Sequence, residues 1–143
     1  IIFNMTDCIF CKILNKEIPN HTVYEDDFVL AFLDIFPHAS GHTVVVPKKH
    51  FDTFLDMTET EPVSFLASVR KVMEKLNTVL KPDGFNVGWN ERPAGGQVVP
   101  HLHVHIFPRY KGDGGGSMHS IIKNPGDKTP AEIAKLFNIC QNI

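Results

Sequence analysis

Between residues 65 and 80 apolar side chains recur at intervals of three and four: Phe65, Val69, Val72, Met73, Leu76 and Leu80. Lys71, Glu74, Lys75 and Asn77 fill the opposite side. That period predicts an amphipathic helix of about five turns, starting near Thr60–Pro62 and ending before Pro82. Shorter runs read differently. Thr22–Tyr24 and Phe28–Leu33 alternate as strands around a turn at Glu25-Asp26-Asp27, and Thr43–Val46 is a β-branched run that suits a central strand buried on both faces. Pro47 ends it, because proline donates nothing to a ladder. Gly84–Trp89 and His101–Phe107 read as two further strands, separated by the loop 90–96. Cys8–Asn15 forms a short helix or turn with Ile9, Phe10, Ile13 and Leu14 on its apolar side. Thr129-Pro130-Ala131-Glu132 carries a helix start, with a capping threonine, a proline at the first helical position and a glutamate that reaches back. Ile133, Leu136, Phe137 and Cys140 then share a stripe, and Cys140 is expected to be a small core residue. Gly112–Ser117 reads as a flexible loop. Clustered strands with one long helix between them predict an α+β fold: a mainly antiparallel sheet, one long helix and short terminal helices.

At 143 residues the chain is the size of one domain. Fourteen basic and sixteen acidic side chains leave a net charge of −2, so no overall basic field draws in nucleic acid or an anionic membrane. No apolar run approaches the ~20 residues of a membrane span. No basic-then-apolar leader is visible, and three cysteines are too few and too odd for a disulfide framework, so the expectation is a cytoplasmic protein. Residues 1–4 precede Met5, and Met5 is the expected natural start.

Eight histidines stand out in this composition, and three of them share one strand. In Pro100-His101-Leu102-His103-Val104-His105-Ile106-Phe107 the period of two puts His101, His103 and His105 on one face, while Leu102, Val104 and Ile106 point into a core. Buried imidazoles each need partners for two nitrogens, so three on one face argue for chemistry. Two chemistries fit: a metal bound by the three histidines, or a nucleophilic imidazole with donors beside it. Gly95-Gly96-Gln97 just upstream suits close backbone approach to phosphate oxygens, or simply connects two strands. Cys8-x-x-Cys11 stays open between two unrelated thiols and half a zinc site; no apolar strand leads into it as a redox pair requires.

His101-Leu102-His103-Val104-His105-Ile106-Phe107 resembles the histidine triad motif, in which histidines alternate with apolar residues. The likeness extends through CIFCKILNKEIP (8–19), VYEDDFVLAFLDIFP (23–37), GHTVVVPKKH (41–50) and the Gly-Gly-Gln before the triad, covering about residues 7 to 110. Members of this family are α+β nucleotidyl hydrolases and transferases that usually form homodimers.

The resemblance implies a single domain over residues 1–143, with 111–143 a variable C-terminal segment. By position it makes His103 the nucleophile at the α-phosphorus of a purine nucleotide, with His105 assisting the leaving group and His42 orienting the triad. Asn90, Gly96, Gln97 and the Val98 backbone would hold phosphate oxygens, and Asp34 the ribose. Ile9, Phe10, Ile13, Phe32 and Ile35 would wall the base pocket, unless they are plain core. Val98 departs from the serine or threonine of many relatives and keeps only its backbone N–H. Bacterial-type relatives with the cysteine pair implicate Cys8, Cys11, His50 and His101 as ligands of one structural zinc per chain, with no organic cofactor. The implied substrates are nucleoside 5′-phosphoramidates or dinucleoside polyphosphates. The competitors are a metal-dependent hydrolase using the three histidines and a non-catalytic nucleotide-binding module. His21, His38 and His119 receive no task.

Overall fold

A computed structural model describes residues 7–139. The expectations for residues 1–4 and for Cys140 fall outside them. Helix α1 spans Ile9–Leu14, α2 Glu61–Leu80 and α3 Pro130–Ile139; strands β1 to β5 span Thr22–Glu25, Val29–Leu33, Thr43–Pro47, Gly84–Gly88 and Val104–Arg109. The strands form one sheet in the order β1-β2-β3-β5-β4, antiparallel at every pairing. The α+β expectation holds.

The period of two sorts the sheet into two faces. Val29, Ala31, Val45, Val104 and Ile106 pack with Phe65, Val69, Val72 and Leu76 of α2. Burying each such side chain contributes roughly 1.5–3 kcal/mol, which is why α2 lies on this face. Leu30, Phe32, Val44 and Val46 point the other way and pack with Ile13, Phe10 and Leu14 of α1. β3 is buried at all five positions, as its β-branched run requires. Asp26 makes the first hairpin: its Oδ1 accepts from the Phe28 and Val29 N–H groups at 2.8 and 2.9 Å.

Three expectations need correction. His101–His103 lie before the paired strand, which begins at Val104. Their alternation survives without the ladder, because Leu102 is anchored in the α2 core and its N–H donates to the Phe51 carbonyl at 2.7 Å. The glycine-rich segment after Tyr110 is held rather than free: Arg109 donates to both Asp113 oxygens at 2.7 Å and to the Gly116 carbonyl at 2.6 Å. Finally, α3 forms with its Thr129–Glu132 capping box, yet Ile133, Leu136 and Phe137 stay exposed. Periodicity predicted the helix but no docking place for it.

Candidate active site and metal centre

The α1 face of the sheet carries the histidines. His105 stands opposite Val44 in the β3–β5 pairing, so it projects with Val44 away from α2. His101, immediately before β5, faces α1. Its Nδ1 lies 3.4 Å from Cys8 Sγ and 3.6 Å from Cys11 Sγ, and His50 Nδ1 lies 3.2 Å from Cys11 Sγ. The four ligand atoms are all within 4.8 Å of one another, close enough to hold a metal ion. A tetrahedral shell with sulfur at ~2.3 Å and nitrogen at ~2.0–2.1 Å sets S and N about 3.5 Å apart, so the donors fit.

The outer nitrogens are also arranged for ligation. His101 Nε2–H donates to the Pro47 carbonyl at 3.0 Å, and His50 Nε2–H to Asp52 at 2.8 Å, leaving both Nδ1 lone pairs facing the sulfurs. Burial, then the neighbouring Cys8, pushes the Cys11 thiol up to about 11. Burial lowers His101 to about 4, so this imidazole is in its neutral, ligating form near pH 7. Asp52 was not singled out from sequence; a carboxylate two residues after a ligand histidine is the signal that could have found it.

Past the cysteines, hydrogen bonds assign the tautomers of the other imidazoles. His103 Nδ1 lies 2.7 Å from the His101 carbonyl, which only accepts, so Nδ1 carries the proton and Nε2 presents a lone pair. The His38 backbone N–H donates to His42 Nδ1 at 3.2 Å, so His42 carries its proton on Nε2. That nitrogen is 2.9 Å from His105 Nδ1 and 3.6 Å from Asp34 Oδ2. His105 therefore accepts at Nδ1 and presents Nε2–H. Two anchored backbone groups thus leave His103 with a free lone pair at Nε2 and His105 with an N–H there. Burial lowers all three: His42 and His103 fall below the ordinary value near 6.5 despite Asp34, and His105 falls to about 4 with His103 and His42 adding to the effect.

Between β4 and β5 the loop closes on itself. Glu91 accepts from the Phe54 and Leu55 N–H groups at 3.1 Å each and from Trp89 Nε1 at 2.9 Å. The Gln97 amide is fully engaged: Nε2 donates to the Asp52 and Val99 carbonyls, and Oε1 accepts from the Arg92 N–H. Gln97 therefore shapes the loop through its side chain. Gly96 has φ +96°, where a side chain is strained, and it lies against Asn90. The Val98 N–H meets no acceptor among the described residues, and the Val98 side chain is 88% exposed.

Asp34, His42, His105 and Asn90 meet in one cleft of about 630 Å³. His103 lies beside Phe10, ring centroids 5.0 Å apart. The remaining expected base-pocket residues divide: Ile13 and Phe32 belong to the core beneath α1, while Ile9 and Ile35 are exposed. Sequence reasoning missed two further contributors. His38 supplies the backbone N–H that sets the His42 tautomer, and residues 116–121 form part of the cleft wall. Neither signals itself in sequence, since one acts through its backbone and the other through a fold-back.

A family profile for the HIT domain matches residues 15–112. An uncharacterized HIT-like protein of Methanocaldococcus jannaschii is 50% identical over 117 residues, covering 82% of this chain and 90% of the relative. An adenylylsulfatase of Arabidopsis thaliana is 41% identical over 110 residues, covering 75% of this chain and 54% of the relative. The crystal structure of a HIT-family member from Bacillus subtilis superposes with a TM-score of 0.81 at 36% identity, covering 95% of this chain and 96% of that one. With the profile spanning more than half the chain and the fold shared at this identity, the chain belongs to the HIT domain family.

Proposed function

We propose that this chain is a nucleotide hydrolase that cleaves at the α-phosphate of nucleoside 5′-phosphoramidates or dinucleoside polyphosphates through a nucleotidyl-histidine. The observation that carries this is the pair of complementary tautomers, a free Nε2 on His103 beside an Nε2–H on His105. In the first step the His103 Nε2 lone pair forms a bond to phosphorus. The bond from phosphorus to the leaving nitrogen or oxygen breaks while the neutral His105 donates an Nε2–H hydrogen bond to that atom, which takes up its proton from water. The His101 carbonyl stabilises the positive charge that develops on the His103 ring. Water then attacks the phosphorus, the bond from phosphorus to His103 Nε2 breaks, and the nucleoside monophosphate and neutral His103 are released as the attacking water gives up its proton to solvent. The backbone N–H of Val98 and the Asn90 side chain would hold phosphoryl oxygens, and Asp34 the ribose. Phe10, apolar and beside His103, would be the side chain that selects a flat base. The relative named an adenylylsulfatase supports adenine and reaction at an adenylyl phosphorus.

Cys8, Cys11, His50 and His101 would hold one zinc ion. Four protein donors close a tetrahedral shell, so its contribution is structural. The reading includes a cytoplasmic homodimer, supported by the exposed Val63, Leu66 and Val79 of α2 and by thiols left unpaired. No described helix is long and apolar enough to cross a membrane.

A second reading has one supporting observation: Asp34, His42 and His105 also bring ligand atoms within 4.8 Å. A catalytic metal there would make chelation abolish turnover without unfolding, and His103→Ala would retain activity. Incubation of wild type and His103→Ala with adenosine 5′-phosphoramidate and a diadenosine polyphosphate separates the readings. Product is expected from wild type only, with AMP binding retained in the variant. Equal turnover by His103→Ala overturns the nucleophile, and AMP binding without wild-type turnover leaves a binding module.

A further inference from the structure

The wall of the cleft facing away from the metal centre is built by chain beyond β5. Gly116, Ser117, Met118, Ser120 and Ile121 line it beside His105. Met118 and Ile121 are 52% and 72% exposed, and Val87, Trp89 and Phe107 continue the apolar lining. Two glycines make this fold-back fit. A Cβ on Gly88 would sit 3.3 Å from the Met118 methyl, and one on Gly115 would collide with the Arg109 guanidinium.

That guanidinium is the clamp. Arg109 Nη1 donates to Asn86 Oδ1 and to the Gly116 carbonyl, both at 2.6 Å, and the remaining edge grips Asp113. Asp113 also accepts from the Tyr110 and Gly115 N–H groups at 3.0 and 2.8 Å. Four of the five N–H donors of the arginine are therefore engaged by protein. Among the described residues no lysine or arginine lines the cleft itself, where the ionisable side chains are Asp34, His38, His42 and His105. A polyphosphate chain with several negative charges meets no fixed cation here, whereas an uncharged group meets apolar surface.

We propose that residues 116–121 are the leaving-group wall, that Met118 and Ile121 select an uncharged leaving amine carrying apolar bulk, and that Arg109 and Asp113 are positioning residues for that wall. This rests on His105 as the leaving-group donor. A bidentate guanidinium–carboxylate pair suits the positioning role because its two parallel bonds fix direction as well as distance.

The test compares kcat/KM of the full chain on three adenosine derivatives: the unsubstituted 5′-phosphoramidate, its phenethylamine derivative and diadenosine tetraphosphate. Wild type is expected to favour the phenethylamine derivative over both others by at least about tenfold. Met118→Ala and Arg109→Gln should reduce that preference about tenfold or more, with the Kd for AMP, which has no leaving group, unchanged in Arg109→Gln. Equal preference among the substrates in wild type overturns the proposal. So does a uniform loss on all substrates in the variants, or a matching loss of AMP affinity in Arg109→Gln. If wild type turns over none of the three, it is the underlying hydrolase reading that fails.

Discussion

At the scale of single residues, the chemistry depends on where two protons sit. His103 and His105 are the same residue type two positions apart, yet one carries its proton on Nδ1 and the other on Nε2. The difference comes from the His101 carbonyl at one end and the His38 N–H, relayed by His42, at the other. His42→Ala removes the relay and frees His105 to adopt either tautomer. The expected result is a fall in kcat of roughly 10²-fold, within the usual range for losing one oriented hydrogen-bond donor to developing charge, with AMP affinity little changed. A fall in AMP affinity with kcat unchanged would contradict this. The pH profile follows from burial. His103 lies below the ordinary value near 6.5, so it stays neutral at pH 7 and protonates only on acidification. Activity should therefore be level near neutrality and decline on an acid limb centred below pH 6.5. The same sign governs stability. The unfolded His105 binds its proton near 6.5 and the folded one only near 4, so stability is full above pH 6.5 and falls between about 6.5 and 4. Urea midpoints across that range check it.

At the scale of elements, the sheet sorts structural from chemical residues by its period of two. β3 sends Val45 toward α2 and Val44 toward the histidine face, and β5 repeats this with Val104 and His105. That alternation was legible in the residues themselves, as was α2. The limits of β5 were not, because β4 ends at Gly88 opposite His105 and β3, though it runs to Pro47, pairs with β5 only as far as Val45. Turns show the same division. Gly41 precedes β3 with φ +79°, and a Cβ there would run into Leu80 of α2 and lie close to Pro108 of β5. Gly41→Ala combines left-handed strain with overlap and is expected to cost about 1–3 kcal/mol. Thermal or urea unfolding measures it; a change under about 0.5 kcal/mol would show that Leu80 yields freely.

Over the whole molecule, the cysteine pair sets α1 against the segment that carries His101 and His103. Cys8 and Cys11 come from the start of the chain, His50 from just after β3 and His101 from just before β5, and the His101 carbonyl also orients His103. A metal ion here closes loops of up to about ninety residues, and its binding energy adds to folding energy. Cys8→Ser should lose bound zinc and lower Tm together, with activity falling as a consequence. A strong chelator should do the same to the wild type. Purified protein with no stoichiometric zinc and a Tm indifferent to chelation would remove the staple from the account.

The sequence by itself determined the α+β class, the long helix and the two-faced strands, and it singled out the histidines and cysteines that the fold brings together. Those depend on period, capping and residue type, which are local properties. Residue type and spacing left open what each imidazole does, and only the family resemblance implied roles. Only the tertiary structure brought Cys8 and Cys11 to His101, turned Asp52 onto His50 and engaged Gln97 with its own loop. Only the fold-back after β5 put Met118 beside His105. These are pairings between residues far apart in the chain, and proton positions, metal geometry and cleft walls are set by such pairings rather than by neighbours in sequence.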